Sequence, residues 1–214
     1  LGRDILSRLI MGTRYTLGSS LLVLIATALI GGALGIIAGM LKGIKARFVG
    51  HIFDAFLSLP ILLIAIIIST LMEPSLWNAM FATLFAILPY FIHAIYRAIQ
   101  EELKKDYVIM LKLEGISNWT LLKTTILPNI TIVYIQEISR AFIVAVLDIS
   151  ALSFISLGAQ RPTPEWGAMI KDSLELLYLA PWTVLLPGFA IIFTILLSII
   201  FSNGLIKAIN QYYE

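Results

Sequence analysis

The 214-residue sequence has no cysteine and only two histidines, His51 and His93. Disulfides, thiolate metal sites and a cysteine nucleophile are thereby excluded. Charged residues make up 13% of the chain, about half the share usual in soluble domains, so too few ionic groups are available to wet a soluble surface. The net charge of +2 is too small to build a nucleic-acid interface. No Gly-x-x-x-x-Gly-Lys-Ser/Thr occurs, which leaves the chain without a phosphate loop of its own. His-Glu-x-x-His and Gly-x-Ser-x-Gly are missing as well, removing the simplest signatures of a metalloprotease or a serine hydrolase.

What is abundant is apolar surface: 59% hydrophobic residues and a mean hydropathy of +0.95. Five apolar segments near bilayer-spanning length can be marked, at roughly 15–41, 53–73, 77–99, 130–157 and 184–206. Runs such as Leu59 to Leu71 do not alternate in polarity, so the expected fold is an all-α polytopic bundle forming a single domain over residues 1–214, and not a β-barrel. Loops of 100–129 and 158–183 separate the later segments.

Placing the loop at 42–52 in the cytoplasm puts nine basic residues inside: Lys42, Lys45, Arg47, Arg97, Lys104, Lys105, Lys112, Lys123 and Lys207. Arg3, Arg8, Arg14, Arg161 and Lys171 fall outside, and the positive-inside rule prefers this orientation, with a cytoplasmic C-terminus. Trp77, Trp166 and Trp182 are then expected at the outer interface and Trp119 at the inner one. An N-terminus left outside without a signal peptide leads to the expectation of one further span upstream.

Gly31, Gly35, Gly39 and Gly43 recur at four-residue spacing, giving a stripe where another helix can approach, either within this chain or in a second membrane subunit. Pro60 and Pro89 fall inside apolar segments and are hinge candidates. Glu137, Arg140 and Asp148 lie in the fourth segment, where ionisable groups are costly unless paired or hydrated. On a helical wheel they sit at about 0°, 300° and 20°, one polar sector. Two readings stand: a translocation path favouring a cationic substrate, or a Glu137–Arg140 pair with Asp148 bonded to a neighbouring helix. His93 is read as a hydrogen-bonded structural residue or a proton or metal site. No cofactor is expected.

Residues 100–129 carry the most specific pattern. A polar start, Glu101-Glu102-Leu103-Lys104-Lys105-Asp106, leads into Tyr107, Val108, Leu111, Glu114, Gly115, Trp119 and Leu122 at helical spacing, then Thr125-Ile126-Leu127-Pro128-Asn129. This reads as two helices joined at Gly115. It resembles the cytoplasmic loop of binding-protein-dependent ABC importer permeases: Glu-Ala-Ala, three residues, Gly, nine residues, Ile, any residue, Leu-Pro. Gly115, Leu127 and Pro128 match, whereas Ile109-Met110-Leu111 replaces the triplet and Thr125 the Ile. Leu1-Gly2-Arg3-Asp4, Leu157-Gly158-Ala159-Gln160 and Pro162-Thr163-Pro164-Glu165-Trp166-Gly167 are similar to the C-type permeases of dipeptide, oligopeptide and nickel transporters. Glu137-Ile138-Ser139-Arg140-Ala141 and Leu147-Asp148-Ile149-Ser150 resemble the Sap branch of that family, named for sensitivity to antimicrobial peptides.

The resemblance implies a bacterial inner-membrane permease with a second, homologous permease subunit, two cytoplasmic ABC ATPases and a periplasmic substrate-binding protein as partners, surrounded by lipid. It implies that residues 107–119 form a coupling helix docking on an ATPase, with Tyr107, Leu111 and Trp119 as apolar anchors and Gly115 as the turn. Peptide import fits the family, and polyamine export or nickel transport stays open for its branches. A secondary transporter or channel is the rival class; an intramembrane enzyme built from His93 and Ser139 or a non-transporting scaffold has less in the sequence to favour it.

Overall fold

A computed structural model describes residues 4–41, 43, 50 and 56–213, and among these residues every regular element is helical. Helix α1, Ile5–Gly39, starts at Asp4, whose carboxylate accepts the Leu6 and Ser7 amides. The Ser7 hydroxyl and those amides stabilise the charged form and hold the Asp4 carboxyl below its ordinary value. A π-helical turn, Thr27–Gly31, interrupts α1. Such a turn leaves backbone groups out of register, and the Tyr134 hydroxyl donates to the Ala28 carbonyl there at 2.7 Å. Gly32 leaves the room: a Cβ at that position would lie 2.5 Å from the same hydroxyl.

Helices α2, Ile61–Thr70, and α3, Leu76–Glu102, form a hairpin, and the Ser75 hydroxyl caps α3 by accepting the Asn78 amide at 3.1 Å. At the far end of α3 come α4, Asp106–Leu113, and α5, Asn118–Asn129, the latter containing a second π turn at Leu122–Ile126. Helix α6, Thr131–Phe154, leaves α5 at a bend of 62° around Ile130. Helix α7, Trp166–Ser173, lies at the opposite end, and α8, Trp182–Tyr213, closes the described chain.

Helices α1, α3 and α8 are each long and apolar enough to cross a membrane, and the bent α5–α6 pair makes a fourth candidate. The five-segment expectation therefore loosens at its second member, where α2, ten residues long, is the continuous helix among the described residues. Pro60 is the physical reason. It has no amide hydrogen and disfavours helical backbone at the residue before it, so it stands at the N-cap of α2 with extended backbone, not inside a span. Residues 51–55 of that segment, and Lys42, Lys45 and Arg47 of the preceding loop, lie outside the described residues. Pro89 is held within continuous α3.

Helix α6 is central, packing on α1, α3, α7 and α8. Its Ala141, Ala145 and Ile149 join Phe91, Ile95 and Ile99 of α3 in the main core. The glycine stripe faces α3 inside this chain: a Cβ on Gly31 would meet Phe91 at 3.0 Å, one on Gly35 would meet Ile95 at 2.8 Å, and one on Gly39 would meet Ile99 at 2.8 Å. Glycines four apart thus receive bulky residues four apart. Gly43 does not belong to the stripe; it lies past the end of α1 with φ of +64°, and a Cβ there would have no neighbour within 4 Å among the described residues. Gly35→Val is expected to lower stability by about 1–3 kcal/mol through overpacking, measured as a lower thermal unfolding midpoint in detergent.

Candidate functional site

Helix α4 ends in a Schellman arrangement. Gly115 takes φ of +87°, the left-handed conformation that glycine adopts without a Cβ penalty, and the Ile116 amide reaches back to the Leu111 carbonyl at 3.3 Å. The chain then restarts at Ser117, whose hydroxyl accepts the Thr120 amide at 3.1 Å. Pro128 follows the π turn, where its missing amide costs α5 least.

The apolar residues of α4 divide between two faces. Val108 is fully buried, and Leu111 packs on the main core with Ile116 and Leu127, so Leu111 is not an outward anchor as expected. The Tyr107 hydroxyl is tied inward, donating to Glu102, while its ring stays 40% exposed on the outward side. The rest of the outward surface is made by Ile109, Met110 at 63% exposure, Leu113 at 83% and Trp119 at 73%, with Glu114 and Gly115 exposed beside them. An apolar patch on so short a helix is unfavourable in water and marks a contact surface. Glu102 itself is buried at the end of α3; Asn129 Nδ2 donates to its Oε1 at 2.9 Å, and Lys105 Nζ lies 2.7 Å from its Oε2.

Between α3, α6 and the segment before α2 lies a cavity of about 220 Å³, lined in part by Tyr90, His93, Arg97, Glu137 and Arg140. Arg140 Nη1 is 3.3 Å from Glu137 Oε1. Asp148 does not line this cavity, so the polar sector read from the wheel is divided along the helix. The half of α6 near residue 140 opens on space, whereas Asp148 is buried, its Oδ2 with no hydrogen-bond partner among the described residues. No group of three His, Asp or Glu side chains among the described residues is placed to hold a metal ion.

At the opposite end, Glu165 is fully buried. Its Oε1 accepts the Thr16 hydroxyl at 3.0 Å and the Ser150 hydroxyl at 2.9 Å, and its Oε2 caps α7 by accepting the Ala168 amide at 2.9 Å. Trp166 is buried too, its indole N–H donating to the Leu9 carbonyl at 3.1 Å, so it is a packing residue and not an interfacial ring as expected. Gly12 and Gly167 permit this approach: a Cβ on Gly12 would lie 2.5 Å from the Pro164 carbonyl, and one on Gly167 would overlap the Ser150 carbonyl. Asp172 adds ionic contacts to Arg161 at 2.8 Å and Arg8 at 4.0 Å.

Sequence reasoning did not assign Glu102, Asn129, Thr16 or Glu165. A signal existed for Glu165, since an acidic residue after Pro164 and ahead of Trp-Gly-Ala-Met has N-cap character. Glu102 and Asn129 meet only through the tertiary fold.

Long apolar helices joined at one end by a short helical segment with an exposed apolar face define a membrane-spanning chain that carries a contact surface at one end of its bundle. In fold the chain matches a chain of the inward-facing MetNI methionine ABC transporter, with a TM-score of 0.78 and 13% identity, covering 98% of this chain and 99% of that one. Residues 31–213 match the family described as the binding-protein-dependent transport system inner membrane component, and the chain belongs to that family. It is 88% identical over its whole length to the peptide transport system permease protein SapC of Haemophilus influenzae, covering 72% of that protein. Identity to SapC of Escherichia coli O6:H1 is 46%, over 98% of this chain and 71% of the relative. The di/tripeptide transport system permease protein DppC of Pseudomonas aeruginosa is 35% identical over 98% of this chain and 69% of its own length.

Proposed function

We propose that this chain is the membrane-spanning permease subunit of an ATP-driven peptide importer, working with a second, homologous permease, two cytoplasmic ATPases and an extracytoplasmic binding protein. The observation that carries the cargo class is the 88% identity, without a gap in coverage of this chain, to a relative named for peptide transport. The outward apolar face of α4, continued by the first turn of α5, supports the assignment of Ile109, Met110, Leu113 and Trp119 to the ATPase contact. In this reading the α4 end and the C-terminus are cytoplasmic, and the Glu165 end meets the binding protein. Hydrolysis takes place on the partner chains. Closure of the ATPases displaces α4, and because α4 is joined to α3 and α5, the displacement is passed on as a rigid-body motion.

The cavity at Glu137 and Arg140 belongs to the translocation path in this scheme. Its paired charges suit a ligand carrying both signs, as peptides do at their termini, better than a purely cationic one. Asp148 is buried in α6 away from this cavity and is given no part in the path. The test is a pull-down of the tagged chain from native membranes in mild detergent, with partners identified and counted by mass spectrometry. Two ATPases and a second permease are expected. Their absence, under conditions that preserve a control ABC complex, overturns the proposal.

A further inference from the structure

Three stretches of chain distant in sequence meet at Glu102. It is the last residue of α3, and its carboxylate receives the Tyr107 hydroxyl from the first turn of α4 and the Asn129 amide from the last turn of α5. Asn129 Nδ2 also lies 2.7 Å from the Tyr107 hydroxyl, closing a triangle immediately before the 62° bend into α6. Lys105 supplies the fourth contact, at 2.7 Å. The Glu102 side chain is only 6% exposed, and a buried carboxylate is stable only while its acceptor sites are filled. Beneath the triangle, Ile99, Val108, Leu121, Ile126 and Ile130 share one core.

The covalent links of α4 are weak by comparison. On one side it follows the turn at residues 103–105, and on the other it leads into Gly115, where a Cβ would meet nothing within 4 Å. Burial of Val108 in the core holds the first turn of this two-turn helix against withdrawal, but apolar contact is non-directional, and the hydrogen bonds to Glu102 are what fix its angle. We propose that Glu102 is the positioning residue of energy coupling, the joint that makes the end of α3, α4 and the entry to α6 one rigid body, so that force applied to α4 moves both long helices together. This rests on the reading that α4 bears on an ATPase, and it adds the residue through which that contact reaches the membrane helices.

The chain has no cysteine, so labels can be placed at will. Spin labels on Asp106→Cys, in the first turn of α4 and outside the outward apolar face, and on Gln136→Cys of α6, both exposed positions, report the distance across the joint in the ATPase-bound complex in lipid nanodiscs. With Glu102 intact, one narrow distance is expected, unchanged between the nucleotide-free and ATP–vanadate states. In Glu102→Ala the distance should broaden and shift on trapping, while ATP hydrolysis persists and peptide transported per ATP falls about tenfold. Glu102→Gln, which keeps an Oε1 acceptor, should lie between. Tyr107→Phe, which removes one hydroxyl and keeps the ring, serves if Glu102→Ala fails to assemble. A distance that stays narrow and fixed in whichever of the alanine and phenylalanine variants assembles overturns the joint. A wild-type chain that captures no ATPase overturns the permease reading instead, before any variant is compared.

Discussion

Glu165→Ala is expected to destabilise the chain by about 3 kcal/mol or more, because each buried donor left without an acceptor costs about 1–3 kcal/mol. Three donors depend on this carboxylate: the Thr16 hydroxyl of α1, the Ser150 hydroxyl of α6 and the Ala168 amide of α7. The alanine variant also removes the α7 cap, worth about 1 kcal/mol alone. Glu165→Gln separates hydrogen bonding from charge. A glutamine can turn its carbonyl to the Ala168 amide and donate its NH2 to the two hydroxyls, which rotate to accept. It should therefore cost well under half the alanine value. Thermal unfolding of the purified chain in detergent, followed by tryptophan fluorescence, ranks the two variants. Equal losses for alanine and glutamine would show that charge, and not acceptor geometry, holds this end together.

Leu113→Asp is expected to leave the fold intact and remove ATPase capture. At 83% exposure Leu113 contributes almost nothing to the core, so the change in stability should stay within about 0.5 kcal/mol. At an interface the same substitution sets a desolvated carboxylate against an apolar pocket, and loss of an apolar anchor costs at least about 2 kcal/mol of binding, more than tenfold in affinity. Trp119→Ala should add to the loss. Two residues earlier on α4, Leu111→Asp is predicted to do the opposite, destabilising the chain because that side chain packs on the core. The copurified ATPase-to-permease ratio, set beside the unfolding midpoint, separates the two effects. An unchanged ratio in Leu113→Asp with Trp119→Ala would remove this face from the ATPase contact.

That contrast also shows where sequence reading reaches its limit. The segment after α3 and its turn at Gly115 were legible because a glycine that interrupts a helical pattern has one dominant backbone use, whereas its Leu127-Pro128 end was marked through the resemblance to the permease loop. Which face of α4 turns outward was not. Leu111 and Leu113 are chemically alike, and only the packing of Val108, Leu111 and Ile116 on the core tells them apart. The helical wheel placed Glu137, Arg140 and Asp148 in one sector, yet a wheel has no axial coordinate for neighbours, so it missed that the cavity ends before Asp148. The glycine repeat named three true members of a seam; periodicity alone could not see that α1 stops before Gly43. Glu102 and Asn129 escaped notice because a polar triangle drawn from three helices has no local signature.

The π turn in α1 has a consequence for insertions and deletions. It carries one residue more than an α-helical turn would, and it lies between Thr16, held by Glu165, and the stripe of Gly31, Gly35 and Gly39, which receives α3. That extra residue is taken up within one wider revolution, so the halves keep the relative orientation of a helix one residue shorter. Removing a single residue from 27–30 would close the turn to α-helical geometry with both seats kept, at the loss of the displaced Ala28 carbonyl that Tyr134 bonds. Adding a residue, or removing a second, would turn the halves of α1 by about 100° and unseat one of them. The stretch therefore tolerates one deletion where a regular helix would tolerate none.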